Sequence, residues 1–187
     1  MTRRDGNETV KLDMLKLAFL AGGLMAVAAI AAAWLLMSPA RTVALAAKVE
    51  RARASLAAKS LRIAGSEVAY LEGGAGEVLL LLHGSSGEKD NWNRVARHLT
   101  PHLRVIALDL PGFGGSHRPA KTAYGLWDQI AHIRAFAAAL GLQRFHLGGH
   151  SFGGRLAAMY AARFPGQVRS LWVVAPGGGL GSCGPVW

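Results

Sequence analysis

GGHSFGG, residues 148–154, stands between the apolar run RFHL and the small-residue stretch RLAAMYAARF. Gly149-His150-Ser151-Phe152-Gly153 fits the pattern G-x-S-x-G, set where a strand gives way to a helix. In such an elbow the serine takes a strained backbone so that its Oγ projects above the sheet, and the glycines on either side avoid clashes in so sharp a turn. Gly154, Ala157 and Ala158 let the following helix approach the sheet closely, and the helix N-terminus directs positive partial charge toward an anion formed above it. The bare pattern is weak, because glycine and serine are common. Its position after a strand, with His83-Gly84 closing an earlier one, gives it weight against a turn with no chemistry.

Working outward, short apolar runs alternate with turns and helical stretches. LRIAG (61–65) and VAYLEGG (68–74) read as a hairpin, and VLLLLHG (78–84) as a central strand buried on both faces. NWNRVARHL (91–99) reads as a helix, RVIALDLPG (104–112) as a strand and YGLWDQIAHIRAFAAALGL (124–142) as a helix. FHLGGHS (145–151), FGGRLAAMYAARF (152–164) and VRSLWVVAP (168–176) complete a strand, a helix and a strand. This alternation predicts an α/β fold with a mostly parallel sheet, flanking helices and right-handed crossovers. Ligands then bind at the carboxyl ends of the strands, where His83-Gly84, Asp109 to Gly115 and Ser151 all fall.

LLLLHGSSG, KDNW, VIALDLPGFGGS, LGGHSFGG and ARFPGQVRSLWVVAP, spanning about Leu61 to Pro176, resemble the α/β-hydrolase family. Within it the chain looks most like single-pass, membrane-anchored monoacylglycerol lipases and their bacterial esterase relatives. The resemblance implies Ser151 as nucleophile and an oxyanion hole from the backbone N–H groups of Ser85 and Phe152. It implies supporting roles for His83, Gly84, Gly149 and Gly153, a loop-bracing role for Asp109, and a variable elbow position for His150. Branches with an aspartate nucleophile are disfavoured by the serine at 151. The expected chemistry is carboxylic-ester hydrolysis of acylglycerol-type substrates, with no cofactor.

In this fold the triad runs Ser, then Asp or Glu, then His along the chain. Residues 152–187 contain no Asp, no Glu and no His. Without the histidine the serine loses its general base, and disrupting a triad removes orders of magnitude of rate. The chain is therefore expected to be the N-terminal portion of a serine hydrolase and inactive as it stands, its partial hydrolase domain covering 61–187. The alternatives carried beside this are a C–C bond, thioester or peptide hydrolase of the same fold, and a non-catalytic, membrane-tethered binding protein. A nucleotide-dependent oxidoreductase would rest only on Gly179 to Gly184, which match G-x-G-x-x-G. That fingerprint needs a helix opening at the third glycine and an acidic residue about 20 positions on, whereas Pro185 follows at once.

Leu17 to Met37 is 21 residues without a charge, long enough to span a hydrocarbon core of about 30 Å. It is expected to be a transmembrane anchor after a tail of residues 1–16; a cleaved signal peptide, with a site near Ala44-Leu45-Ala46, is the alternative. Arg3, Arg4, Lys11 and Lys16 precede it and Arg41, Lys48, Arg51 and Arg53 follow it, so the positive-inside rule leaves orientation open. Leu45, Val49, Ala52 and Leu56 recur at helical spacing, with Lys48, Arg51 and Lys59 on another face. Residues 41–59, within a linker of 38–60, are thus expected to form a basic amphipathic helix that can lie on anionic headgroups. The formal net charge is +10, but it is scattered and accompanied by no nucleic-acid-binding motif, so no nucleic-acid partner is expected. A single cysteine, Cys183, and seven dispersed histidines offer no disulfide framework and no metal-ligand spacing.

Overall fold

The computed structural model describes residues 5–36, 38–116 and 124–177. The glycines of 179–184 and Cys183 lie outside these residues. Two compact units, Met1–Ala46 and Ala47–Trp187, are distinguished by their internal contacts.

In the first unit, helix α1 runs from Asp5 to Leu36. Its segment Asp13–Leu35 has a mean hydropathy of 2.1 and is long and apolar enough to cross a membrane. Leu17, Phe19, Leu24, Met25 and Ile30 are all exposed. Near its end the Arg41 guanidinium stacks over the Trp34 ring at 3.5 Å, and Thr42 Oγ1 donates to the Leu35 carbonyl at 2.9 Å.

Helix α2 spans Pro39–Arg53, which corrects the helix expected over 41–59. Ala54 and Leu56 are buried, Ser55 takes a φ of 53°, and Leu56 opens strand β1, Leu56–Ile63. Eight residues of β1 pair antiparallel with β2, Ser66–Gly73. That ladder and the burial of Leu56 outweigh a helical periodicity that is only a weak local preference. Lys59 consequently sits on a strand and reaches Glu72 at 2.8 Å, and Arg51 pairs with Asp90. Neither joins a continuous basic helix face. The hairpin closes through Ala64 and Gly65, both at positive φ, as a two-residue turn whose twist matches the strands requires.

The remaining elements are β3 (Val78–Leu82), a 3-10 turn (Lys89–Trp92), α3 (Asn93–Leu99), β4 (Arg104–Leu108), α4 (Leu126–Ala139), β5 (Phe145–His150), α5 (Phe152–Arg163) and β6 (Val168–Val174). One six-stranded sheet has the order β1-β2-β4-β3-β5-β6. β4, β3, β5 and β6 are mutually parallel, and β2 joins β4 antiparallel. The mostly parallel sheet expected from the alternation is present, with the hairpin as its antiparallel margin.

Period-two alternation sorts VLLLL into two layers. Leu80 and Leu82 join Ile106, Leu108 and Leu147 under α4 and α5, where Ile133, Phe136, Leu156 and Tyr160 are fully buried. Leu79 and Leu81 join Leu71, Val105 and Ala107 on the other face with Trp92 and Ala96. Each fully buried Leu of this kind contributes about 1.5–3 kcal/mol. The two layers fix β3 and β5 side by side, with their carboxyl ends, His83-Gly84 and His150-Ser151, at one edge of the sheet.

Candidate active site

Ser151 occupies the single residue between β5 and α5, at φ 52° and ψ −118°. A non-glycine residue reaches this region only under surrounding constraint, and the constraint is visible. Ser151 N–H donates to the Val174 carbonyl at 2.9 Å, and the Ser151 carbonyl accepts from Arg155 N–H at 3.0 Å and Gly177 N–H at 3.1 Å. The glycines around it are there for room. A Cβ on Gly149 would overlap the Gly153 carbonyl, and one on Gly153 would overlap the carbonyl oxygens of Leu82 and His83. β3 and the start of α5 thus pass in backbone contact beneath the serine. Among the described residues, nothing hydrogen-bonds Ser151 Oγ.

The loop after β3 meets the elbow directly. A Cβ on Gly84 would lie 3.1 Å from the Ser151 Cβ and 3.0 Å from His150 Nδ1. The Gly84 carbonyl accepts from His83 Nδ1 at 2.8 Å and from Gly87 N–H at 3.1 Å. In a trans peptide the carbonyl and the next N–H point to opposite sides. Engaging the Gly84 carbonyl therefore turns Ser85 N–H away from those partners, and it has no acceptor among the described residues. Phe152 N–H, the first of α5, is likewise one of the helix's unsatisfied donors.

His83 is buried, and Leu110 N–H donates to its Nε2 at 3.1 Å. Nε2 is therefore the acceptor nitrogen and Nδ1 carries the proton given to Gly84. Burial pushes the imidazole below its ordinary pKa, favouring that neutral tautomer. With both nitrogens engaged, His83 braces the loop. His150 is exposed, with its ring beside Gly84, and no hydrogen bond joins it to Ser151 among the described residues.

Asp109 is fully buried and spends its carboxylate on the loops. Oδ1 accepts from Lys89 N–H at 2.6 Å, and Oδ2 accepts from Lys89 Nζ at 2.8 Å and Gly115 N–H at 2.8 Å. Lys89 neighbours Asp90, which takes two bonds from Arg51 at 2.5 and 2.6 Å and one from Asn93 at 2.8 Å. Burial works to raise the Asp90 pKa, but the bonds from Arg51 and Asn93 outweigh it and hold the group below its ordinary range. This chain of charges fixes the segment from Gly84 to Trp92. The sequence shows its members but no spacing that announces their pairing, because Arg51 and Asp90 are 39 positions apart.

Among the described residues, the two neighbours of Ser151 line separate pockets. One, of about 290 Å³, is lined by Pro111, Gly112, Phe113, Tyr124, Gln129 and Phe152. The other, of about 250 Å³, is lined by His83, Gly84, Asn91, Trp92, Val95 and His150. The neighbours of Ser151 on either side, Phe152 and His150, thus face different pockets. A larger groove of about 450 Å³ along α4 and the end of α5 contains no residue of the elbow. Among the described residues no cluster of His, Cys, Asp and Glu is composed to hold a metal.

A strained serine thus stands between a parallel strand and a helix, with a His-Gly loop against it. The profile of the alpha/beta hydrolase fold matches residues 77–185, and the chain belongs to that family. It is 42% identical over 133 residues to Lipase 1 of Psychrobacter immobilis, covering 69% of this chain and 42% of that one. It is 38% identical over 102 residues to Monoacylglycerol lipase abhd6-A of Xenopus laevis, covering 54% of this chain and 30% of that one. The crystal structure of a membrane phospholipase A superposes with a TM-score of 0.70 at 47% identity, covering 82% of this chain and 50% of that one. The chain spans half or less of the length of each.

Proposed function

We propose that Ser151 is the nucleophile of a lipase- or esterase-type hydrolase, and that the N–H groups of Ser85 and Phe152 form its oxyanion hole. The observation that carries this is the backbone of Ser151, held at φ 52° between a strand and a helix, with Gly84 against its Cβ. In the reaction Ser151 Oγ attacks the ester carbonyl as its proton passes to a base, and the carbonyl oxygen becomes an anion. Collapse of the tetrahedral intermediate expels the alcohol and leaves an acyl-enzyme, which water cleaves. Two preorganised N–H donors lower this barrier, each contributing roughly 10²–10³ in rate. The relatives' chemistry and the two pockets lined by the neighbours of Ser151, one for each arm of an ester, favour acylglycerol-type lipid substrates.

Among the described residues no base is in place for Ser151 Oγ. His83 has both nitrogens engaged, Asp109 is committed to Lys89 and Gly115, and no acid or histidine follows Ser151. The chain as it stands binds at the elbow but does not turn over. A fluorophosphonate probe tests both statements. The 187-residue chain labels slowly, and a chimera carrying the C-terminal part of a lipase relative labels at Ser151 faster by roughly 10³ or more, an effect lost in Ser151→Ala. Rapid labelling of the short chain overturns the inactivity, and undiminished labelling of the alanine variant overturns the nucleophile.

The apolar stretch of α1 anchors the protein in a membrane in this reading, in keeping with its exposed apolar side chains. Mass spectrometry of the expressed protein separates the anchor from a signal sequence: removal of the residues before Leu45 or Ala47 would establish the latter.

A further inference from the structure

We propose that Ser170 is a second reactive serine, with His146 as its base and Glu77 orienting the imidazole, and that it takes an acyl group from activated donors such as aryl esters and thioesters. The three residues meet at the amino ends of the parallel strands, the edge opposite the elbow. Phe145 and Leu147 face the layer under α4 and α5, so alternation along β5 turns His146 to the other face. Val168 pairs with Phe145 and Leu171 with Leu147, which leaves β6 one residue more than β5 over this interval. Such a bulge re-aims a side chain, and here Ser170 Oγ stands 2.7 Å from His146 Nδ1. On the far side of the ring, His146 Nε2 lies 3.0 Å from Oε2 of Glu77, just ahead of β3.

The position of each proton follows from the carboxylate. Arg169 binds the other Glu77 oxygen at 2.9 Å, and the bond from His146, with the Arg169 charge behind it, holds the Glu77 carboxyl below its ordinary range. An ionised carboxylate only accepts, so Nε2 carries the imidazole proton and donates it to Glu77. Nδ1 of the neutral ring is then a bare lone pair, and the Ser170 hydroxyl donates to it. A hydroxyl aimed at a base that a third group orients is the arrangement that activates a serine. Ser170 is exposed, so an acyl donor reaches it from solvent. Its Oγ attacks the acyl carbonyl as its proton passes to Nδ1. The bond to the leaving group then breaks, giving an acyl-serine and a phenolate or thiolate that departs with the electron pair. Glu77 stabilises the imidazolium formed meanwhile. A good leaving group is needed, because an exposed site supplies little of the oxyanion stabilisation that a poor one demands.

The test treats the 187-residue chain and its Ser151→Ala variant with p-nitrophenyl acetate at mildly alkaline pH and maps acetylated residues by peptide mass spectrometry. Ser60 and Ser86 are the internal controls, since both are exposed and neither is hydrogen-bonded to an imidazole among the described residues. In both chains Ser170 is acetylated roughly tenfold faster than these two, below the roughly 10²–10⁴ of an enclosed base because water shares the site. His146→Phe brings Ser170 down to the rate of Ser60 and leaves Ser60 unchanged. Acetylation of Ser170 no faster than that of Ser60 overturns the inference, as does an undiminished rate in His146→Phe. Acetyl held on His146 with none on Ser170 overturns it too. If the phenylalanine variant does not fold, the ratio of Ser170 to Ser60 in the wild type decides. Loss of the Ser170 adduct in Ser151→Ala would trace the acetyl to transfer from the elbow and likewise sink the second site. Persistence of that adduct in Ser151→Ala supports it whether or not Ser151 is the nucleophile of the elbow.

Discussion

Gly84 leaves no room for a side chain beside Ser151: a methyl group added to it would sit 3.1 Å from the Ser151 Cβ, 3.0 Å from His150 Nδ1 and 3.3 Å from the His150 carbonyl. Neither neighbour can yield, because His150 ends a strand paired to β6 and Ser151 is tied to Val174, Arg155 and Gly177. The Gly84→Ala chain must therefore move the loop, carrying Ser85 N–H with it. Overpacking of this kind costs about 1–3 kcal/mol. Urea denaturation of the alanine variant should show that loss with an unchanged slope, and a loss below about 0.5 kcal/mol would mean that the loop shifts freely.

The strain at Ser151 makes a second, opposite prediction. Its φ of 52° with ψ of −118° is a conformation that costs a non-glycine residue about 1–3 kcal/mol. Ser151→Gly relieves that strain and gives back about 0.5–1 kcal/mol through the greater freedom of glycine in the unfolded chain. The net expectation is a glycine variant about 1 kcal/mol more stable than Ser151→Ala, which keeps the Cβ and the strain. Equal denaturation midpoints for the two variants would show that the serine is held there at no cost. The measurement concerns stability alone, so it applies to the chain whether or not it turns over ester.

The sequence made the elbow legible because every part of it is local. Gly149, Ser151 and Gly153 are spaced by the needs of one turn, and the largely buried runs VLLLL and FHLGGH lead to it. The parallel sheet was equally readable, since the alternation of short apolar runs with helical stretches admits few topologies. Where reading failed, the deciding contacts were distant in the chain. Leu56 fits the helical rhythm of Leu45, Val49 and Ala52, yet pairing with Gly73 draws it into β1. Gln129 is one polar residue on an amphipathic helix until Pro111, 18 positions away, claims its NH₂ group. Gly177 looks like part of a glycine-rich tail, and only in the fold does its N–H reach the Ser151 carbonyl.

The pair formed by Arg51 and Asp90 yields the last prediction, in which pH supplies the control. Their side chains are 23% and 8% exposed, and Arg51 binds both carboxylate oxygens of Asp90. Arg51→Met removes the guanidinium and leaves the carboxylate largely buried with Asn93 and the more distant Lys89 ammonium, at 3.6 Å. Breaking a buried pair from one side costs about 3–5 kcal/mol, and the partial exposure of Arg51 and the surviving partners reduce this to about 2 kcal/mol. The Asp90 pKa is lowered in the folded chain from its ordinary 3.8, so the folded state favours the ionised form. The stabilisation is fully present above pH 3.8 and is lost as pH falls through the lower folded value. Denaturation midpoints of the wild type and Arg51→Met should therefore differ most near neutrality and converge as pH drops below 3.8. A gap that stays constant down to pH 2.5 would assign the effect of Arg51 to packing of its aliphatic stem rather than to its charge.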